Sequence, residues 1–281
     1  MDSDQLISII IPTYNREFLI TQTLDSIKKQ ILLSWECLII DDGSTDNTQA
    51  VVEEYCRNDI RFKYHKRPLD LPKGAPSCRN LGFQLSQGKY IQWFDSDDIM
   101  LPNMLVEKHA ALKNSTCDFV VSKMGRFKTG HDFSYPKYSI WNENFIESYL
   151  RYKIYFLTPG PMFRKEYLEK QSKLFDVSLI KHQEWEFYSR LLLTGGKGEF
   201  LNDFHCMRRM HDESIRHKTN SLSKQEKNKI NYDALKALNV NTKYMYKKML
   251  RKLFYKWIIK SSIDSIMKFR VKELLSFVEF F

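Results

Sequence analysis

Three carboxylates lie within four residues at Asp95, Asp97 and Asp98, directly after the apolar run Tyr90-Ile91-Gln92-Trp93-Phe94. Carboxylates this close repel one another unless something positive sits among them, and a hard divalent cation with oxygen ligands is the simplest partner. Taken alone, the stretch could equally be a solvated acidic turn, since Asp is common in turns. Two further polar clusters follow apolar runs in the same way. Pro12-Thr13-Tyr14-Asn15-Arg16 follows residues 7–11, and Asp41-Asp42-Gly43-Ser44 follows residues 35–40.

The elements that must position these groups are legible around them. Residues 7–11 form a continuous β-branched run and predict a buried strand ended by Pro12. Ile20, Leu24, Ile27 and Ile31 recur at helical spacing, residues 35–40 read as a second strand, and Ala50, Val51 and Val52 ride on a helix capped by Thr45 or Asp46. Phe62 and Tyr64 alternate with charged residues as in a strand with one wet face, and residues 77–86 form a short helix. After the acidic stretch, Pro102 marks the expected start of a helix reaching Leu112, followed by a strand over 119–122. Strands alternating with helices at this spacing predict a parallel sheet covered on both faces, with ligands bound outside the carboxyl ends of the strands. The three polar clusters then converge on one edge of one sheet.

Beyond residue 124 the alternation fades. Tyr135, Tyr138, Trp141, Tyr149, Tyr152, Tyr155 and Phe156 could floor a sugar site or simply form core, and core is the commoner fate of such rings. Helices are expected over 143–152 and 182–193, the second stopped by Gly195-Gly196.

Composition narrows the class. With 43% hydrophobic and 28% charged residues, the 281-residue chain reads as a soluble globular protein. No basic leader is seen before the first apolar run, and no stretch approaches the roughly 20 apolar residues that span a bilayer. Five scattered cysteines without a CxxC pair argue against zinc or a disulfide framework and fit a reducing cytoplasm. The net charge of +10 is concentrated at one end: residues 216–281 carry 16 Lys and Arg against 5 Asp and Glu, leaving the rest near neutral. The expected organisation is a body over 1–215 (a nucleotide-binding half, 1–124, and an acceptor-side half, 125–215) with a basic amphipathic tail over 216–281. The helical stripes in 244–281 could dock on the body or lie on anionic lipid at the inner face of the membrane. Nucleic-acid binding is disfavoured because the tail's aromatics lie on its apolar stripe and cannot also stack on bases. No GxGxxG or GxxxxGK[ST] occurs, which leaves dehydrogenase and P-loop readings without support.

Assembled in order, the motifs resemble those of family 2 glycosyltransferases with the GT-A fold. The resemblance is carried by residues 9–16 (IIIPTYNR), 41–46 (DDGSTD), 79–82 (RNLG) followed by 88–91 (GKYI), 95–98 (DSDD), and more weakly by 184–190 and Arg209-Met210-His211. It spans roughly residues 6–215. It implies a Rossmann-like, mixed and mainly parallel sheet sandwiched by helices, with a C-terminal helical extension. It also implies a metal-assisted, inverting enzyme that moves a sugar from a nucleotide sugar, UDP-linked, to a glycan or lipid-linked acceptor. The turn Pro12, Thr13, Tyr14, Asn15 and Arg16, with Asp42, would receive the nucleoside. Asp95-Ser96-Asp97 resembles the DxD motif and would hold Mn2+ or Mg2+ against the diphosphate, with Asp97 the direct ligand and Asp95 on the ribose or a metal-bound water. Asp98 would support the turn or the sugar hydroxyls, Arg79 and Arg209 would face phosphate, and His211 would be a further metal ligand; His205 and His217 have no stronger claim.

The family's catalytic Glu-Asp pair reads Gln183-Glu184 here, with Arg190 six residues after Glu184. Glu184 can perform the same proton transfer, since Glu and Asp have similar intrinsic pKa values. Its extra methylene moves the carboxylate outward by about 1.5 Å. Glu186, on another face of the helix, is the fallback base. The departure keeps a second function open, a catalytically inactive nucleotide-sugar-binding module in a membrane-associated glycan assembly.

Overall fold

The apolar runs become strands wherever both faces are covered. The computed structural model describes residues 5–128 and 132–210, and singly Ala234 and Leu238. His211, His217 and the helices expected in the tail therefore lie outside the described residues. Met1–Val177 with Gly196–His211 forms one compact unit, and Ser178–Gly195 belongs to a second.

In chain order the elements are β1 (Ile7–Thr13), α1 (Ile20–Lys28), β2 (Trp35–Asp41), α2 (Thr48–Asn58) and β3 (Phe62–Lys66). Next come α3 (Ala75–Leu85), β4 (Tyr90–Trp93), β5 (Ile99–Met100), α4 (Met104–Lys113) and β6 (Phe119–Phe127). The remainder are α5 (Phe145–Leu150), β7 (Pro161–Arg164), α6 (Lys165–Glu169), α7 (Gln183–Leu193) and β8 (Gly198–Arg209). Among the described residues the strands form one sheet in the order β3-β2-β1-β4-β7-β6-β8-β5. β1 runs parallel to β2 and β4, β2 to β3, and β6 to β8. β7 is antiparallel to both β4 and β6, and β5 to β8. The sheet is thus mixed and mainly parallel.

β1, β2 and β4 are buried along nearly their whole length, which is why they read as continuous apolar runs rather than alternating ones. Ile20, Leu24 and Ile27 of α1 pack into the same core as Ile9, Ile11, Trp35 and Phe94. Burying each such aliphatic side chain stabilises the fold by roughly 1.5–3 kcal/mol.

Pro12 does not end β1. The strand continues to Thr13, whose carbonyl accepts the Asp42 N–H at 2.9 Å. The Ile10 carbonyl, two residues before Pro12 and on the same side of the strand, accepts Phe94 N on the β4 side, and pairing with β4 stops there. The donor that Pro12 lacks would point to that vacated side, so the ring costs no ladder bond. Helix α4 likewise starts at Met104, two residues after Pro102.

Gly82 explains how α3 sits so close to the sheet: a Cβ there would meet Ile10 Cγ2 at 2.3 Å and Ile40 Cγ1 at 3.3 Å. The close approach fixes the helix that carries Arg79.

A buried cation braces the other flank. Lys108 of α4 is fully buried, and its Nζ donates to Gln92 Oε1 (3.1 Å), Pro159 O (2.9 Å) and Gly160 O (2.6 Å). Burial pushes its ammonium down to about 7. Lys108→Met would leave Gln92 Oε1 without a donor, while Pro159 O keeps Gln92 Nε2 and Gly160 O keeps Ser122 N, and is expected to cost about 1–3 kcal/mol. Because the folded chain holds this proton less tightly than the unfolded chain, wild-type stability gained from Lys108 rises with pH from about 7 toward the ordinary lysine value. Denaturant titrations near pH 7 and pH 9 should therefore show the variant's deficit widening at the higher pH.

Candidate active site

The carboxyl ends of β1, β2, β3 and β4 form one rim, and each contributes polar side chains to it. After β1 the chain turns through Asn15, which adopts a left-handed conformation (φ 49°). Asn accepts that conformation more readily than most residues. The turn is tied to the one after β2. Asn15 N donates to Ser44 Oγ at 2.9 Å, Thr45 N to Asn15 Oδ1 at 2.8 Å, and Arg16 N to Thr48 Oγ1 at 2.7 Å. The Thr13 hydroxyl is buried at this rim and has no hydrogen-bond partner among the described residues. Tyr14 is 41% exposed, and the Lys73 ammonium lies 4.1 Å from its ring centroid.

The two aspartates at the carboxyl end of β2, Asp41 within it and Asp42 just after it, divide their labour. Asp41 is structural: Oδ1 accepts Gly43 N and Ser44 N (2.9 and 2.6 Å), and Oδ2 accepts the Tyr64 hydroxyl (2.8 Å). Asp42 is aimed at the rim, with Oδ1 held by Arg67 Nε at 2.5 Å and by Gly74 N at 3.1 Å. Arg67 also donates to Pro68 O and Leu71 O, so one guanidinium closes the 67–74 loop over Asp42. Sequence reasoning missed Arg67, although it directly follows β3 at the same rim as the other clusters.

Arg79 is 4% exposed. It donates through Nη2 to Asp95 Oδ1 (3.1 Å) and Thr158 Oγ1 (3.2 Å), with Phe175 facing the guanidinium 5.1 Å away. The Thr158 contact was not foreseen either. Arg16 Nη2 lies 3.8 Å from Asp97 Oδ2, an ion pair too long to be a hydrogen bond. Two arginines from distant segments thus each meet one carboxylate of the DSDD turn. Ser96 is buried within the turn.

The third carboxylate faces inward. Asp98 is 3% exposed; its Oδ1 accepts Arg209 N at 2.9 Å and its carbonyl accepts the Thr23 hydroxyl at 2.8 Å. Burial, and then the charges of Asp97 and Asp95, push its carboxyl well above the usual carboxylate range. Of the two roles expected for Asp98, bracing the turn is the one this geometry displays. Arg209 is braced in turn: Nε donates to Asp97 O (2.9 Å), Nη2 to Gln22 Oε1 (2.6 Å), and its guanidinium lies 4.4 Å from the Phe127 ring centroid.

Asp95 and Asp97 are hard oxygen donors of the kind that Mg2+ and Mn2+ accept, and phosphate oxygens and waters commonly complete such sites. Among the described residues no group of three or more His, Cys, Asp or Glu side chains forms a full ligand cage. Two carboxylates fit a cation shared with a bound diphosphate better than a self-sufficient structural metal. His211 lies outside the described residues. His205 is buried with Nε2 2.6 Å from Glu107 Oε2, a structural pair.

In the second unit, α7 begins after His182, which is left-handed (φ 62°), and is followed by Gly195 (φ 96°). Glu184 lies in the first turn, where the partial positive charge of the helix N-terminus favours a carboxylate. Gln183 Nε2 donates to Leu179 O at 2.8 Å. Glu186 is fully buried, and its Oε1 is 2.8 Å from Arg190 Nε. That pairing engages both Glu186 and Arg190 within the helix.

Residues 8–171 match the family described as Glycosyl transferase family 2. The chain is 36% identical over 143 residues to the Escherichia coli UDP-Glc:alpha-D-GlcNAc-diphosphoundecaprenol beta-1,3-glucosyltransferase WfgD, covering 51% of this chain and 49% of that protein. It is 29% identical over 205 residues to the Staphylococcus aureus poly(ribitol-phosphate) beta-N-acetylglucosaminyltransferase TarS, covering 70% of this chain and 34% of TarS. The chain therefore spans about half the length of the first relative and a third of the second. Among solved structures, S. aureus TarS 1–349 in complex with UDP-GlcNAc superposes with a TM-score of 0.71 at 20% identity, covering 98% of this chain and 79% of that one. The mannosyltransferase PcManGT from Pyrobaculum calidifontis, in complex with GDP-Man and Mn2+, gives a TM-score of 0.63 at 18% identity, covering 89% and 69%. These likenesses establish the GT-A fold.

Proposed function

The chain belongs to glycosyl transferase family 2, and on that premise we propose that it transfers a sugar from a UDP-linked donor to a hydroxyl of a glycan or lipid-linked acceptor, with inversion. One observation carries the reading: the turn after β1, Asp42, and the Arg16–Asp97 and Arg79–Asp95 pairs meet on a single rim. A nucleotide sugar brings a base and ribose, which accept and donate hydrogen bonds, and a diphosphate, which needs positive charge. The rim offers each in order. The uridine donors printed for WfgD and for the TarS complex support the choice of nucleotide.

The roles then divide by chemistry. Asp42, Thr13 and the 12–16 turn bind the nucleoside through hydrogen bonds to base N–H and ribose hydroxyls. Asp97 and Asp95 would hold Mn2+ or Mg2+, which when bound neutralises the diphosphate. Arg79 supplies a guanidinium to the same phosphates, where negative charge grows as the bond to the sugar breaks. Glu184 takes the proton of the acceptor hydroxyl as that oxygen attacks the anomeric carbon from the face opposite the diphosphate. A single displacement needs one base and no protein nucleophile, which suits a site with one late carboxylate. The Mn2+ printed for the mannosyltransferase supports the metal. No helix among the described residues is long and apolar enough to cross a membrane; contact with lipid belongs to residues 244–281, and the cytoplasmic face is the proposed location.

A thermal-shift series with UDP, GDP, UDP-glucose and UDP-GlcNAc, each with and without Mn2+, tests the donor. Ligand saturating at about 100 times its dissociation constant stabilises by about 2.7 kcal/mol. A uridine nucleotide should raise the melting temperature, and more so with Mn2+. Equal indifference to all four would remove the donor reading.

A further inference from the structure

A second cationic feature lies on β6 and β8, outside the donor site. The strands are parallel, and their register sets Arg126 directly beside Arg208. Like charges at facing positions of neighbouring strands are destabilising, so the pair asks for a compensating anion. Arg208 is half-buried, and among the described residues its side chain has no hydrogen bond or ion pair. Its charge is felt by Asp98, yet that carboxylate is already bonded to Arg209 N.

Both arginines line one pocket, together with Tyr138, Tyr155, Gly125 and Pro136. The two tyrosine rings stack with centroids 5.6 Å apart and planes 6° apart. Tyr138 has committed its hydroxyl to the Met124 backbone, accepting N–H at 2.7 Å and donating to the carbonyl at 3.2 Å. The Tyr155 hydroxyl accepts from Arg126 Nη2 at 3.1 Å and so keeps its own proton to give. Among the described residues, the polar side chains facing the pocket therefore offer donors, and no carboxylate lines it. Such a set suits a ligand that only accepts, and two guanidinium forks suit a tetrahedral oxyanion of more than one charge.

Two chain segments connect the pocket wall to residues of the donor rim. Leu157 in its wall precedes Thr158, which accepts from Arg79. Arg208 precedes Arg209, which donates to Asp97 O. We propose that the pocket between Arg126 and Arg208 is a phosphate subsite that takes a phosphate group of the acceptor and thereby presents the acceptor hydroxyl to the donor. This assignment rests on the glycosyltransferase reading for its purpose and on the paired arginines for its chemistry.

The test is calorimetric titration of the full chain with glycerol 1-phosphate, run with UDP and Mn2+ already saturating so that the diphosphate site is filled. Glycerol and glycerate serve as neutral and carboxylate controls. Glycerol 1-phosphate should bind, glycerol should not, and glycerate should bind more weakly. Arg208→Gln and Arg126→Gln should each weaken phosphate binding about tenfold or more while leaving the UDP dissociation constant unchanged. Without phosphate, either variant should melt no lower than wild type, because the facing like charges have been separated. Phosphate binding that both variants retain at full strength would overturn the subsite, as would equal binding of glycerate. If UDP itself failed to bind wild-type protein, the donor reading would fall instead, and the phosphate titration without UDP would still decide the pocket.

Discussion

Glu184→Gln is expected to lower sugar transfer by about 10² to 10⁴ while leaving the affinity for UDP unchanged. The amide has the shape of the carboxylate but cannot take a proton, so the change isolates general-base function from packing. Neighbouring groups are poorly placed to substitute. Glu186 is buried against Arg190 in an ion pair, and Gln183 has its amide engaged by backbone carbonyls. Initial rates with acceptor, beside UDP binding by calorimetry, separate the two quantities. Transfer at the wild-type rate would take Glu184 out of the mechanism. If the wild-type protein bound UDP yet neither transferred nor hydrolysed any uridine-linked sugar, the chain would instead be the inactive nucleotide-sugar-binding module that Gln183-Glu184 left open.

Asp97→Ala should produce the second large effect, a loss of roughly 10² to 10³ in transfer of the kind seen when a preorganised electrostatic contact to developing charge is removed. It should also abolish the extra affinity that Mn2+ gives to UDP. Arg16, released from its 3.8 Å ion pair, cannot replace the carboxylate because it carries the opposite sign. Asp98→Ala is the informative contrast. Asp98 faces inward and holds Arg209 N, so its loss should appear chiefly as lowered stability, with Mn2+ still strengthening UDP binding. UDP titrations with and without Mn2+ on both variants read the difference. An Asp97→Ala protein that kept its Mn2+ dependence would move the metal elsewhere.

The parts of this fold that were legible are those whose burial leaves one solution. β1, β2 and β4 are covered on both faces, so their apolar runs could hardly be anything else, and the polar residues after them had to emerge on one rim. The DSDD turn and Arg79 were readable for that reason, together with the family pattern. Pro12 misled because its ring suggests a strand end, whereas the neighbouring β4 had already stopped pairing. β8 escaped notice although it spans 12 residues. Its sequence GEFLNDFHCMRR has no clean alternation, since the register against β6 shifts between Ser122 and Met124 and moves side chains from one face to the other. β6 runs on to Phe127, five residues past the expected Ser122, for the same reason.

Long-range partners were harder still. Arg67 on Asp42, Thr158 on Arg79 and Gln22 on Arg209 join residues 25, 79 and 187 positions apart, and no local pattern encodes such pairings. The aromatics of 125–165 split between both fates. Tyr149 and Phe156 are core, Tyr135 and Trp141 are about half exposed, and Tyr138 and Tyr155 stack in the wall of the arginine pocket.

The central claim is that Asp95 and Asp97 share a divalent cation with the diphosphate of a bound uridine nucleotide. Anomalous scattering from crystals soaked in Mn2+ and UDP tests it most directly. The account predicts one manganese peak in direct coordination with Asp97 and with diphosphate oxygens, with Arg79 on the same phosphates. A nucleotide bound at the rim with no manganese beside it, or Asp97 turned away from the ion, would contradict it.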